Sequence, residues 1–181
     1  MAEEKKDQSK EKWLSWLALT TVVLAVAATL STFRGGSYST KSVLNEIKAS
    51  NQWNYFQAKK IRGYLFDLQK ETVENELKFR PPSSPEAEAE MKKGIEAYAK
   101  KITKWNADRD EIEARAKGYE KARDDALRHS QAFGMAVIFL QMAILLSSIA
   151  ALMKRKPLWI VGLGLGVLGL VYFADGFLLF M

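Results

Sequence analysis

Three stretches without a basic side chain, and with a single acidic one among them, decide what this chain can fold into. Residues 13–33, 133–153 and 158–181 are apolar, and only the last is interrupted, by Asp175. About twenty apolar residues at about 1.5 Å rise span the roughly 30 Å hydrocarbon core of a bilayer, and each run has that length. The charge lies in the blocks between them: before Trp13, across residues 34–129, and at Lys154, Arg155 and Lys156. A soluble domain mixes the two classes at helical or strand spacing, whereas this chain sorts them into blocks. Trp13 and Trp16 open the first run, where indole rings favour the membrane–water interface. Residues 154–157 are too few for anything but a tight turn, so the second and third runs form a transmembrane hairpin. The first run is too long for the apolar core of a signal peptide and is expected to stay as an anchor.

Orientation follows from the short basic segments. The leader, residues 1–12, carries Lys5, Lys6, Lys10 and Lys12, and three crossings place it on the same side as the basic turn 154–157. Lys and Arg in short loops favour the cytoplasm, so leader and turn are expected there. Residues 34–132 then lie on the far side; they are also basic, but segments beyond about 60 residues count for little in that rule. The net charge of +6 suits anionic lipid head groups, and with three membrane runs the lipid bilayer is the expected partner rather than nucleic acid. The chain has no cysteine, which removes disulfides, thiolate metal sites and cysteine nucleophiles.

The charged block reads as two helices, about 39–79 and 86–132, with a turn at 80–85. Pro81, Pro82 and Pro85 cannot continue a helix, the serines between them suit a cap, and Glu86, Glu88 and Glu90 complement the positive end of the next helix. Gly35 and Gly36 permit a bend after the first membrane run. Met91, Ile95, Tyr98, Ile102, Trp105, Arg109, Ile112, Ala116, Tyr119, Arg123 and Ala126 recur at alternating spacings of four and three, a heptad seam. Glu88–Lys92, Glu96–Lys100, Glu111–Arg115, Glu113–Lys117 and Asp124–Arg128 place acid four residues before base, the favourable order. A weaker seam in the first helix runs Leu44, Ile47, Asn51, Asn54, Ala58, Ile61, Leu65, Leu68, Thr72. Folded about the proline turn, Ile61 meets Trp105, Leu65 meets Ile102, Leu68 meets Tyr98, Asn54 meets Ile112 and Ile47 meets Tyr119. The fold class expected is therefore an all-α integral membrane protein: three transmembrane helices plus a long antiparallel coiled-coil helical hairpin outside the bilayer. The hairpin core is expected at Ile47, Ile61, Leu65, Leu68, Tyr98, Ile102, Trp105, Ile112 and Tyr119.

Candidate sites are few. Trp53, Phe56 and Tyr64 fall on a face beside the seam, in the densest aromatic and basic stretch. They read as a contact for a second subunit or another partner, or as a widening of the hairpin's own core. Gly162, Gly164, Gly166 and Gly169 let membrane helices approach closely. Gly162 and Gly166 are candidate contacts, either with the neighbouring membrane helix or with another protomer. Asp175 is the intramembrane charge; near the outer interface it is expected to snorkel or to pair with Arg34, Arg128 or His129, the alternative being a place on a proton or ion pathway. His129 has no His or Cys beside it, so no metal is expected. No phosphate-binding loop, nucleophile elbow or zinc-protease motif occurs, and no two carboxylates sit in an apolar setting, so no catalytic residue and no cofactor is expected.

The stretch Ala49-Ser50-Asn51-Gln52-Trp53-Asn54-Tyr55-Phe56-Gln57-Ala58-Lys59 follows the first membrane run and precedes a pair of C-terminal ones. In this the chain resembles a bacterial membrane family filed as domain of unknown function 4337. The resemblance implies a bacterial inner membrane and no reaction.

Two functions are open on these residues. One is a membrane-anchored, non-enzymatic scaffold or interaction protein that assembles as a homo-oligomer, with an unidentified membrane or periplasmic protein as a further candidate partner. The other is an accessory subunit or pore-forming component of a transport system.

Overall fold

The structure, a computed structural model, describes the backbone of residues 2–80 and 82–180 and the side chains of 12–80 and 82–180. The leader side chains Lys5, Lys6 and Lys10, and Pro81 of the turn, lie outside the described residues. Those described form three α-helices and no strand: α1 Ala2–Phe79, α2 Pro85–Met153 and α3 Lys156–Leu178. Each contains a stretch long and apolar enough to cross a membrane.

The ends of the helices follow from local chemistry. The last turn of α1 closes with the Arg80 N–H donating to the Glu76 carbonyl at 2.8 Å, and the prolines beyond it cannot extend the ladder. The Ser84 hydroxyl accepts from the Ala87 N–H at 3.2 Å and caps α2, with Pro85 at the first helical position, where a missing N–H costs nothing. Between α2 and α3 the chain turns at Lys154, whose φ of 53° is left-handed, while the Arg155 N–H donates to the Ala150 carbonyl at 3.1 Å. Arg155 then returns to extended backbone ahead of α3.

One expectation at this level is corrected. Gly35 and Gly36 do not bend the chain; α1 continues through them, and neither has a positive φ. For Gly35 the use is proximity, whereas a Cβ added at Gly36 would meet nothing within 4 Å. A Cβ added at Gly35 would lie 3.1 Å from the Phe133 Cβ, and the Ser130 hydroxyl donates to the Gly35 carbonyl at 3.1 Å. A helix with its i→i−4 bonds intact does not kink merely because a glycine allows it.

The chain divides into two compact units, one of Met1–Val43 with Arg123–Met181 and one of Leu44–Ala122. In the first, all three helices pack together. Leu24, Ala27, Ala28, Ala136, Leu140 and Ala143 form a buried cluster, and Trp13, Leu17 and Ala150 form a second one nearer the basic turn. The glycines of α3 admit this closeness. A Cβ at Gly169 would meet the Leu140 side chain at 2.7 Å and its backbone nitrogen at 3.0 Å, and one at Gly176 would meet the Phe133 ring at 2.7 Å. Aromatic groups gather at both ends of the unit. At one, the rings of Trp13 and Trp159 lie 6.3 Å apart and the Trp159 indole donates to the Thr20 hydroxyl at 3.3 Å. At the other, Tyr38 stacks on His129 at 4.4 Å and Phe133 meets Phe177 edge-on at 5.0 Å.

In the second unit α1 and α2 run antiparallel, because contacts join early α1 to late α2 and late α1 to early α2. Trp53 reaches Glu120, Lys59 reaches Asp108, and Phe66 meets Tyr98.

Candidate functional site

The unit of Leu44–Ala122 carries most of the side chains that the sequence singles out. On α2 the heptad face turns toward α1: Ile112 and Ala116 are buried, and Tyr98, Ile102, Trp105 and Tyr119 are half-buried. On α1 the facing side chains are Asn45, Ala49, Gln52, Phe56, Lys59, Gly63, Phe66 and Lys70, all buried or half-buried. They too recur at spacings of four and three.

This inner face of α1 differs from the one expected. Ile47, Ile61, Leu65 and Leu68 were assigned to the core of the hairpin, yet within one chain they are 51, 60, 55 and 60% exposed. The stripe Leu44 to Thr72 is offset by two residues from the facing positions, about 200° around a helix, so it points away from α2. The reason is what the inner face offers. Ala49 is small and fully covered, while Phe56, Lys59 and Phe66 find partners on α2 that the aliphatic stripe could not engage.

Lys59 shows this best. Its ammonium donates to Asp108 Oδ2 at 2.9 Å and lies 4.3 Å from the centre of the Trp105 ring. Its side chain is only 13% exposed, with the methylene stem covered and the charge paired. The hydrogen bond to Asp108 raises the Lys59 ammonium above its ordinary value, against the opposing effect of burial. The same bond, with the charges of Lys59 and Lys104, holds the Asp108 carboxyl below the ordinary carboxylate range. Farther along, Arg109 lies over the Phe56 ring at 5.8 Å, which accommodates one of the two arginines that break the α2 seam.

Trp53 and Phe56, two candidates for contact with another subunit, belong to this internal face. The Trp53 indole donates to Glu120 Oε1 at 2.8 Å, and its ring meets that of Phe56 at 5.4 Å, near perpendicular. Tyr64, the third, is 58% exposed, with the Lys60 ammonium 5.7 Å from its ring centre. The cleft bordered by Lys59, Tyr64, Asp67, Trp105 and Arg109 holds about 20 Å³, room for about one water rather than a substrate.

Gly162 and Gly166 are likewise used within the chain. A Cβ at Gly162 would lie 3.2 Å from the Ala143 carbonyl, and one at Gly166 would lie 3.0 Å from a methyl of Leu24. Both are buried between the three helices, so contact with another protomer is not what they serve here.

Asp175 does not snorkel within this chain. It is 4% exposed. Its Oδ1 accepts from the Phe180 N–H at 2.8 Å and its carbonyl accepts from the Leu179 N–H at 2.7 Å. The group therefore closes the end of α3, where Leu179 turns into the left-handed region at φ 49°. His129 reaches the backbone of α3; its Nδ1 lies 2.8 Å from the Gly176 carbonyl, which fixes that nitrogen as the protonated one. Arg34 lies over the Phe177 ring at 5.8 Å. Arg128, Gln131, Tyr172 and Asp175 border an open groove of about 470 Å³. Among the described residues, no three His, Cys, Asp or Glu side chains are grouped to hold a metal ion.

The inner face of α1 is the part that sequence reasoning missed. Its signal is the recurrence of Phe56 and Phe66 in phase with the small residues Ala49 and Gly63, which an aliphatic count overlooks.

A family model described as Domain of unknown function (DUF4337) matches residues 13–179. No curated protein and no solved structure matches the chain. The match takes in α1 from residue 13 and the whole of α2 and α3, and the chain belongs to this family.

Proposed function

We propose that this protein is a non-enzymatic scaffold of the bacterial inner membrane that assembles from several copies. Its three apolar helices anchor it, and its charged pair of helices forms an antiparallel coiled coil outside the bilayer. The basic turn at 154–157 and the basic leader favour a cytoplasmic N-terminus with the helical pair in the periplasm. The observation that carries the reading is the uncovered apolar stripe of α1, with Ile47, Ile61, Leu65 and Leu68 each more than half exposed. In water, covering such surface is worth about 25 cal/mol per Å², and contiguous exposed apolar patches mark interaction sites. The charged groups of the pair are engaged with one another, as in Lys92–Glu88 at 2.6 Å and Lys117–Glu113 at 2.7 Å. That pattern supports contact rather than turnover. Light scattering on the purified protein in detergent tests the reading. A mass of two or more chains is expected, and a monomer across the accessible concentration range would refute it.

A second reading rests on Asp175 and the groove it shares with Arg128. Buried ionisable groups within membrane segments commonly serve transport, which favours an accessory subunit or pore-forming component as the alternative. If Asp175→Asn leaves ion flux through vesicles containing the protein unchanged, that alternative falls.

A further inference from the structure

The groove beside Asp175 is bordered by a carboxylate already engaged in closing α3, and the glycines of α3 are consumed inside the chain. The outward stripe of α1 carries an inference further than either.

We infer that this stripe is the seat of a second copy of the same chain, lying parallel and in register. The inference deepens the scaffold reading and rests on it. Leu44, Ile47, Ile61, Leu65 and Leu68 are 51–60% exposed. With Asn51, Asn54, Ala58 and Thr72 they keep a heptad phase from 44 to 72 without a skip. Four heptads in phase are enough to specify a coiled-coil seam. Leu44, Asn51, Ala58, Leu65 and Thr72 take the first core position of each heptad, and Ile47, Asn54, Ile61 and Leu68 the second. Two consecutive core asparagines suit no aliphatic groove on an unrelated partner. They are satisfied by one another when equivalent positions meet across a two-fold axis, and a core asparagine is a known determinant of dimers in register.

Three further considerations point to a second copy. Leu44 follows the first apolar run by about three helical turns of the same unbroken α1, so copies anchored in one bilayer present the stripe the same way up. Parallel pairing is then the arrangement the membrane already favours. The flanks are electrostatically compatible in that arrangement: Gln57 of one copy faces Arg62 of the other, and Tyr64 faces Gln69. Like charges meet only where Glu71 approaches Glu76 near the tip. Val43 and Tyr55, 57 and 49% exposed, also extend the stripe at its edges, toward the roughly 800 Å² that one partner gives to a standard interface.

Because the chain has no cysteine, a single introduced thiol reports one position. The experiment uses the full chain reconstituted in phospholipid vesicles, carrying Ile61→Cys, Leu68→Cys or, on the exposed side of α2, Lys93→Cys. Each is oxidised with copper phenanthroline and read on non-reducing gels. Covalent dimers are expected at 61 and 68 about tenfold faster than at 93, since only core positions of a parallel seam bring like residues together. Leu65→Glu, at a side chain already 55% exposed, is expected to keep the helical circular dichroism of the parent. It should weaken self-association roughly a hundredfold by forcing two carboxylates into the seam. Equal cross-linking at 61, 68 and 93 overturns the inference. So does an oligomer by light scattering that Leu65→Glu leaves intact, although the scaffold reading then survives through another surface. A monomer by light scattering removes both.

Discussion

Lys59 and Asp108 are the residues at which this protein's ionic design is plainest. Most ion pairs of the helical arms join residues four apart on one helix and are exposed, and such pairs contribute little. The pair of Lys59 and Asp108 crosses from α1 to α2 and has an indole beneath it. Its pH dependence follows from the two shifts. The carboxyl of Asp108 is lowered, so its contribution is complete above the ordinary carboxylate value and is lost as pH falls through the lowered one. The ammonium of Lys59 is raised, so its contribution is complete below the ordinary lysine value and is lost as pH rises through the raised one. Thermal unfolding of the whole chain in detergent, followed by circular dichroism, should therefore separate parent from Asp108→Asn by a constant margin between about pH 5 and 9. The margin should close below about pH 4. A margin that widens in acid would show that the pair is not what couples the two helices there. At this scale the sequence is only half legible. Trp105 can be placed on a seam by its spacing, but Lys59 looks like an ordinary surface lysine until a ring and a carboxylate from α2 are brought to it.

Helices two and three turns long are easily misplaced, but elements of this length announce themselves. Three prolines between Phe79 and Glu86 leave little doubt that one helix stops and another starts, and α1 and α2 indeed end and begin at Phe79 and Pro85. Gly35 is harder to read, because a glycine serves a bend or a close approach alike, and only the position of Phe133 decides between them. The facing side of α1 was hidden for a different reason. Two heptad faces share that helix, and the more aliphatic one is the more conspicuous, whereas the aromatic and small one fits α2. A like distinction holds among the glycines of α3. An added Cβ at Gly169 would press on the Leu140 backbone, while one at Gly164 would meet nothing within 4 Å. Gly169→Ala is accordingly expected to cost about 2 kcal/mol by over-packing, and Gly164→Ala to leave stability unchanged or slightly raised. Unfolding of the two variants by SDS titration compares them directly, and equal losses would mean that α3 is not seated on α2 through this edge.

For the molecule as a whole, membrane topology is the property on which most else depends. In intact cells a thiol at Ser83→Cys should react with an impermeant maleimide, and one at Arg155→Cys should react only after the membrane is opened. The reverse pattern would invert the protein and move its helical pair to the cytoplasm. The three apolar runs are legible at a glance because bilayer thickness sets their length, and the helical class follows from them, since a lipid-exposed backbone must bond to itself. What would cover the outward side of α1 is not written in that constraint. It depends on a stripe whose value appears only when one knows which side of α1 the second helix has taken.

The packing of α3 also bears on how such a chain is made. Leu24 of α1 and Leu140 of α2 are both roofed by glycines of α3, at Gly166 and Gly169, and α3 is the last of the three to leave the ribosome. Without it, the two earlier helices leave those leucines bare on that side. A chain truncated after residue 153 would stay in that state, a looser pair of helices than the finished protein displays.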